Sequence, residues 1–133
     1  MNRHYPRVSH RAAHRCEYCR APEAIFNFPF EVEHVIPICH EGIKEMANLA
    51  LACRSCNIHK AGHLTGFDEV TRKETRLFNP RLDHWEDHLR IDEETGGIVG
   101  ETETGRATVA RLEMNSEKQV AARLQWTLLG LFP

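Results

Sequence analysis

Four of the five cysteines fall into two Cys-x-x-Cys pairs, Cys16 with Cys19 and Cys53 with Cys56, with 33 residues between Cys19 and Cys53. Each pair makes a tight turn that presents two thiolates to one ion, and four thiolates satisfy the tetrahedral preference of Zn²⁺. Iron on four thiolates, as in a rubredoxin-like electron carrier, is the minor variant. All four positions of such an ion are filled by protein, so it holds structure and cannot perform hydrolysis. The second group of chemical residues lies between and just after these pairs: Glu33-His34, then Asn57 and Lys60. An imidazole near neutrality can take a proton from water. Glu33 and Asn57 offer hard oxygens to a divalent cation such as Mg²⁺. Lys60, three residues beyond Asn57, shares its helix face and could meet a phosphate or the charge that develops on it. Together these are the components of phosphodiester hydrolysis.

Other residues carry weaker signals. His59 and His63 are four apart, but His59 lies about 200° around an ideal helix from Asn57, so the two do not face one ion. His40, His84 and His88 read as loop or solvated positions, and Cys39 as a thiol outside the metal set. Arg11 and Arg15, four apart in an arginine-rich start, would share a face that is either solvated or in contact with phosphate. No Gly-rich phosphate loop and no convincing nucleophile constellation occurs.

These residues need elements to position them. A short helix capped by Ser9 would run into Cys16. Residues 25–38, aromatic and β-branched with Pro29 and Pro37 inside, read as a strand ended by Pro37. Asn48 opens a second strand, Leu49-Ala-Leu-Ala-Cys, able to pair antiparallel with the first. Cys53 to Cys56 then turns into a helix over 57–63. Strict alternation along a strand sends Glu33 and His34 to opposite faces unless the chain bends near Pro37. Beyond residue 67 a short helical face is expected at Trp85, His88 and Leu89, a strand at Ile98-Val99, and two helices over 106–114 and 116–129, the second capped by Ser116.

The order Cys-Glu-Tyr-Cys at 16–19, Glu-His-Val-Ile-Pro at 33–37, Asn48-Leu49 and Cys-Arg-Ser-Cys-Asn at 53–57 resembles the HNH endonuclease family. Residues 77–81, 85–88 and 105–108 are loosely similar to the C-terminal part of small free-standing bacterial HNH proteins. The resemblance implies a ββα-metal (His-Me finger) core: a hairpin and helix around one catalytic cation. It implies His34 as general base, Glu33 and Asn57 as ligands of that cation, and Asn48 as a brace of the intervening loop. It also implies DNA cleavage that leaves 3′-hydroxyl and 5′-phosphate ends. Asn57 departs from the histidine found there in many members, and an amide is the weaker ligand. Glu41-Gly42 stands where Gly-Gly is common.

The 133 residues, 41% hydrophobic and 27% charged, suffice for one domain with a core and exclude whole-chain disorder. No apolar run approaches the ~20 residues of a membrane span. The N-terminus lacks the apolar stretch of a secretory signal, so a cytoplasmic location is expected, with reduced cysteines free to bind metal. The net charge is -2, yet residues 1–66 carry 8 Lys/Arg against 6 Asp/Glu and residues 67–133 carry 9 against 13, so any basic face lies with the cysteines. The expected protein is a single α+β domain over 1–133. Residues 1–66 would form the zinc-clipped ββα-metal core, and 67–133 a strand and helix extension. Its expected activity is metal-dependent hydrolysis of DNA, with no membrane partner and no oligomeric state set by the sequence. The rival is a non-catalytic zinc module that binds nucleic acid or a protein.

Overall fold

A computed structural model describes residues 1–133 as a mixture of short helices and three antiparallel hairpins. The first helix, α1, spans Tyr5–Arg11. It begins earlier than the Ser9 cap would place it, because Pro6 occupies the first turn, where a missing N–H costs nothing. Ser9 instead lies inside the helix and donates to the Pro6 carbonyl at 3.3 Å. The helix stops short of Cys16 because Ala13 and His14 take φ of 52° and 55°.

The expected long strand over 25–38 contracts to β1, Glu31–His34, flanked by 3₁₀ turns at Glu23–Ile25 and Ile38–His40. Pro29 and Pro37 lack the N–H that a ladder needs, so the strand is confined between them. They pair with β2, Leu49–Ala52, in a register that sets Glu33 opposite Ala50 and His34 opposite Leu49. Every residue of β2 is buried. Its apolar run without alternation is the pattern of a strand covered on both faces. Helix α2 follows directly over Arg54–Lys60. It starts three residues before the expected position, because the Cys53 sulfur caps it by accepting from the Cys56 N–H. It ends at Ala61, with φ of 45°.

The second hairpin, β3 (Thr65–Asp68) with β4 (Lys73–Arg76), has no apolar alternation in the sequence to announce it. Its stability comes from elsewhere. Asp68 takes a bidentate pair of bonds from Arg106 at 2.8 and 3.0 Å, and its own turn adds the Thr71 hydroxyl at 2.8 Å. Helix α3 covers Trp85–His88 and leads into β5 (Leu89–Asp92), which pairs with β6 (Gly97–Gly100). Helix α4 spans Glu103–Arg111, opening a turn before Arg106 because Thr102 accepts from the Gly105 N–H at 3.0 Å. Helix α5 spans Glu117–Leu128 and is capped by Ser116 as expected.

One connected core joins these pieces, from Val8 and Tyr18 through β2 to Phe78, Trp85, Ile98, Leu112 and Met114. The cysteine turns lie inside it. No helix is long and apolar enough to cross a membrane. Helix α4 can approach the hairpins only because small residues face them. A Cβ on Gly105 would sit 1.9 Å from the His88 carbonyl oxygen, and one on Gly66 would sit 2.5 Å from the Ala107 oxygen. Gly105→Ala therefore should cost about 1–3 kcal/mol, as overpacking does, read as a lower urea midpoint with an unchanged m-value.

Candidate functional site

The two cysteine turns meet in the core. The sulfurs of Cys16, Cys19, Cys53 and Cys56 lie within 4.8 Å of one another, and all four residues are buried. A tetrahedral Zn²⁺ with bonds near 2.3 Å requires sulfurs about 3.8 Å apart. Cys19 and Cys53 stand at 3.7 Å. The turns also aim N–H groups at sulfur, Cys19 N–H to Cys16 at 3.5 Å and Cys56 N–H to Cys53 at 3.4 Å, which is how a thiolate is stabilised locally. Hydrogen bonds from Cys16, Cys19 and Cys53, together with burial, push the Cys56 thiol well above its ordinary value. Four thiolates share such a space only if a cation neutralises them, so the donor set fits zinc.

A buried cation stands near this centre. Arg123 on α5 is 1% exposed and donates to the Gly96 carbonyl at 2.9 Å and to the Met114 carbonyl. Burial lowers its pKa, while the four cysteine sulfurs act in the opposite sense. In sequence it is one charge on a helix, and only the fold brings it to the thiols.

Around the centre the expected site residues divide into four settings. Glu33 turns inward. It accepts from the Tyr18 hydroxyl and pairs with Lys60 Nζ at 3.3 Å, with the two charged side chains only 5% and 2% exposed. Lys60 donates further to the Val35 carbonyl at 2.9 Å. The role given to Lys60 in contacting phosphate is therefore not met: its ammonium is spent inside the protein, where a buried carboxylate demands a partner. Burial raises the Glu33 pKa, and Lys60 opposes the shift.

Asn57 does not join Glu33. Its amide nitrogen donates to Glu31, one strand repeat earlier, which in turn lies 3.5 Å from Arg54. Glu33 and Asn57 thus do not present two free oxygens to one ion. The carboxylate beside Asn57 is Glu31, a residue the sequence reading passed over although strand alternation puts it on the same side as Glu33.

His34 points the other way from Glu33, as alternation requires, and is half-buried between two clefts. One, of about 340 Å³, is walled by Val32, Glu33, His34, Cys39, Asn57 and the end of α2. The other, of about 320 Å³, is walled by Asn2, Arg3, His4, His34, Lys44 and Leu49. Partial burial, then the charges of Lys44 and Lys60, hold the His34 pKa below its ordinary value. The imidazole is kept neutral, the form that accepts a proton.

Asn48 spans the loop that follows His34. It accepts from the Ile36 N–H at 2.8 Å and donates to the Ile36 and Ile43 carbonyls at 3.0 and 2.8 Å. Gly42 has to be small here, since a Cβ would lie 1.7 Å from the Ile36 oxygen.

Residues 16–62 match the HNH endonuclease family model. This segment is similar to HNH domains. The match takes in both cysteine turns, the His34 strand and α2, and leaves 63–133 outside it. The chain matches neither a curated protein nor a solved structure.

The remaining histidines of the HNH-like segment and its extension are occupied or peripheral. His59 bonds to the Ser55 carbonyl at 2.8 Å and to Glu113 at 3.0 Å, and His88 to the Thr102 hydroxyl at 2.7 Å. Arg11 and Arg15 do not form a phosphate face. Arg11 donates to the carbonyls of Met46 and Leu49, the former at 2.9 Å, and Arg15 to that of Arg20 at 3.1 Å.

Two measurements check this arrangement. Purified protein should carry one zinc per chain by elemental analysis, and Cys53→Ser should lose both the zinc and the cooperative unfolding transition. Glu33→Ala strands the Lys60 charge in the interior and should cost roughly 3–5 kcal/mol in denaturant unfolding without removing zinc.

Proposed function

We propose that the protein is an endonuclease that hydrolyses phosphodiester bonds of DNA, with His34 as the general base. The observation that carries this reading is the position of His34: a half-buried imidazole with a lowered pKa, exposed to two clefts, on the strand of an HNH-like segment whose helix begins at the cysteine cluster. The order β1, β2, α2 supports a ββα-metal core. The ring nitrogen of His34 takes a proton from water as the water oxygen bonds to phosphorus. The bond from phosphorus to the 3′-oxygen breaks, and that oxygen takes a proton from solvent, which leaves a 3′-hydroxyl and a 5′-phosphate.

The roles of the neighbours follow from their partners. Asn48 fixes the loop after His34 and so the direction of the ring. Glu33 and Lys60 hold β1 against α2 from within, as positioning residues. A divalent cation such as Mg²⁺ would supply positive charge to the phosphoryl oxygens and the leaving group. Asn57, whose Oδ1 stays free while its nitrogen serves Glu31, is the oxygen donor best placed on the cleft wall to bind one. A zinc ion held by the four cysteines would have no vacant position and would serve as scaffold alone.

A second reading, a zinc module that binds nucleic acid without turnover, is favoured by one observation: the carboxylate next to the candidate base is already neutralised by Lys60. Supercoiled plasmid separates the two. With Mg²⁺ or Mn²⁺ the zinc-loaded protein should produce nicked or linear DNA, and His34→Ala should lower the rate by 10²-fold or more with zinc content and fold intact. Binding without cleavage by the wild type would establish the second reading. The rate should also fall on acidification with a midpoint below the ordinary histidine value near ~6.5, because the base works only when neutral and its folded pKa is depressed.

A further inference from the structure

His34 stands between two clefts with different linings. On the α2 side the cleft wall carries Glu33 and Asn57. On the other side the cleft of about 320 Å³ carries Asn2, Arg3, His4 and Lys44 around the imidazole and no carboxylate. In a chain with 19 acidic residues against 17 basic ones, a wall this rich in cations and free of acids is a strong local bias.

The commitments of the other cations sharpen the point. Most Lys and Arg side chains of this protein are spent, either on carboxylates, as in Arg76 with Asp83 and Arg106 with Asp68, or on backbone carbonyls, as in Arg11 and Arg123. Lys44 is exposed and pairs with no carboxylate, and Arg3 makes only a 3.3 Å bond from Nε to His4 Nε2. That bond leaves both terminal guanidinium nitrogens of Arg3 free, and it makes His4 a donor at Nδ1. The His4 N–H bonds to the Asn2 side chain at 2.8 Å, within the turn that precedes α1. Three donors from two distant segments therefore converge beside the proposed base, and their own structure gives them nothing to neutralise.

We propose that Arg3, His4 and Lys44 form a seat for a backbone phosphate of DNA, holding the phosphodiester against His34. This rests on the nuclease reading and adds its substrate contact. A fork of Arg N–H groups and a lysine point charge match the two non-bridging oxygens of a phosphodiester, whereas a cation would be repelled. Lys44 then acts twice, attracting the phosphate and helping to keep His34 neutral. The three are positioning residues and take no part in proton transfer.

The test measures binding of the zinc-loaded protein to a fluorescein-labelled 16-base-pair DNA duplex, without added divalent metal, as a function of KCl. Lys44→Gln and Arg3→Gln should each weaken binding about 3- to 10-fold at low salt and reduce the slope of log K against log salt by about 0.9, the signature of one lost phosphate contact. Lys44→Arg should restore most of the loss. Lys118→Gln removes an exposed lysine on α5, outside the cleft, and should change neither quantity. Wild-type affinity and slope in both the Lys44 and Arg3 variants, or an equal loss in the Lys118 variant, would overturn the seat. If the wild type nicks plasmid while the seat variants bind unchanged, the seat alone is wrong. If the wild type neither binds nor nicks, the nuclease reading falls and the seat with it.

Discussion

Mutual repulsion among four sulfurs is the constraint around which the chain is arranged. Brought within 4.8 Å of one another in a dry core, the thiols cannot all ionise unless a dication sits among them. A zinc ion held there would turn that penalty into an attraction linking two turns 33 residues apart. Everything that positions His34 hangs from it. The first turn carries Tyr18, whose hydroxyl reaches Glu33. The second turn caps α2, which carries Lys60 to the same carboxylate and Asn57 to Glu31.

The Tyr18, Glu33 and Lys60 group is the next constraint. It spends a carboxylate and an ammonium inside the protein, an expense that buried ion pairs repay poorly in stability. Its effect here is geometric. With Glu33 pinned inward on a four-residue strand, the pleat must turn His34 outward, and the imidazole lies between the clefts instead of beside the carboxylate. Asn48 completes the arrangement by satisfying the backbone of the loop that follows His34.

Much of the core was legible from residue types and spacing. Two Cys-x-x-Cys turns announced a metal centre, and the two strands and helix around Glu33-His34 and Asn57 followed in the expected order. What spacing could not convey was which partner each polar group would find. Lys60 and Asn57 share a helix face, as three-residue spacing says, yet one is buried on Glu33 and the other meets Glu31. Arg11 and Arg15, equally spaced, end on backbone carbonyls. The β3–β4 hairpin was invisible because its strands are polar and its stability is supplied by Arg106, 38 residues away from Asp68.

Local chemistry is written in the sequence because it depends on neighbours a few bonds apart. A thiol pair at the spacing of a turn, a proline that ends a strand and a serine that caps α5 act wherever the chain goes. The choice of partners across the chain belongs to the tertiary structure. Desolvation forces each buried charge to find its opposite, and several candidates of equal sequence merit exist until packing brings one of them near. So the cysteines could be read in advance as a centre. The inward turn of Glu33, the arrival of Arg123 and the gathering of Arg3, His4 and Lys44 at His34 became visible only when the chain had folded.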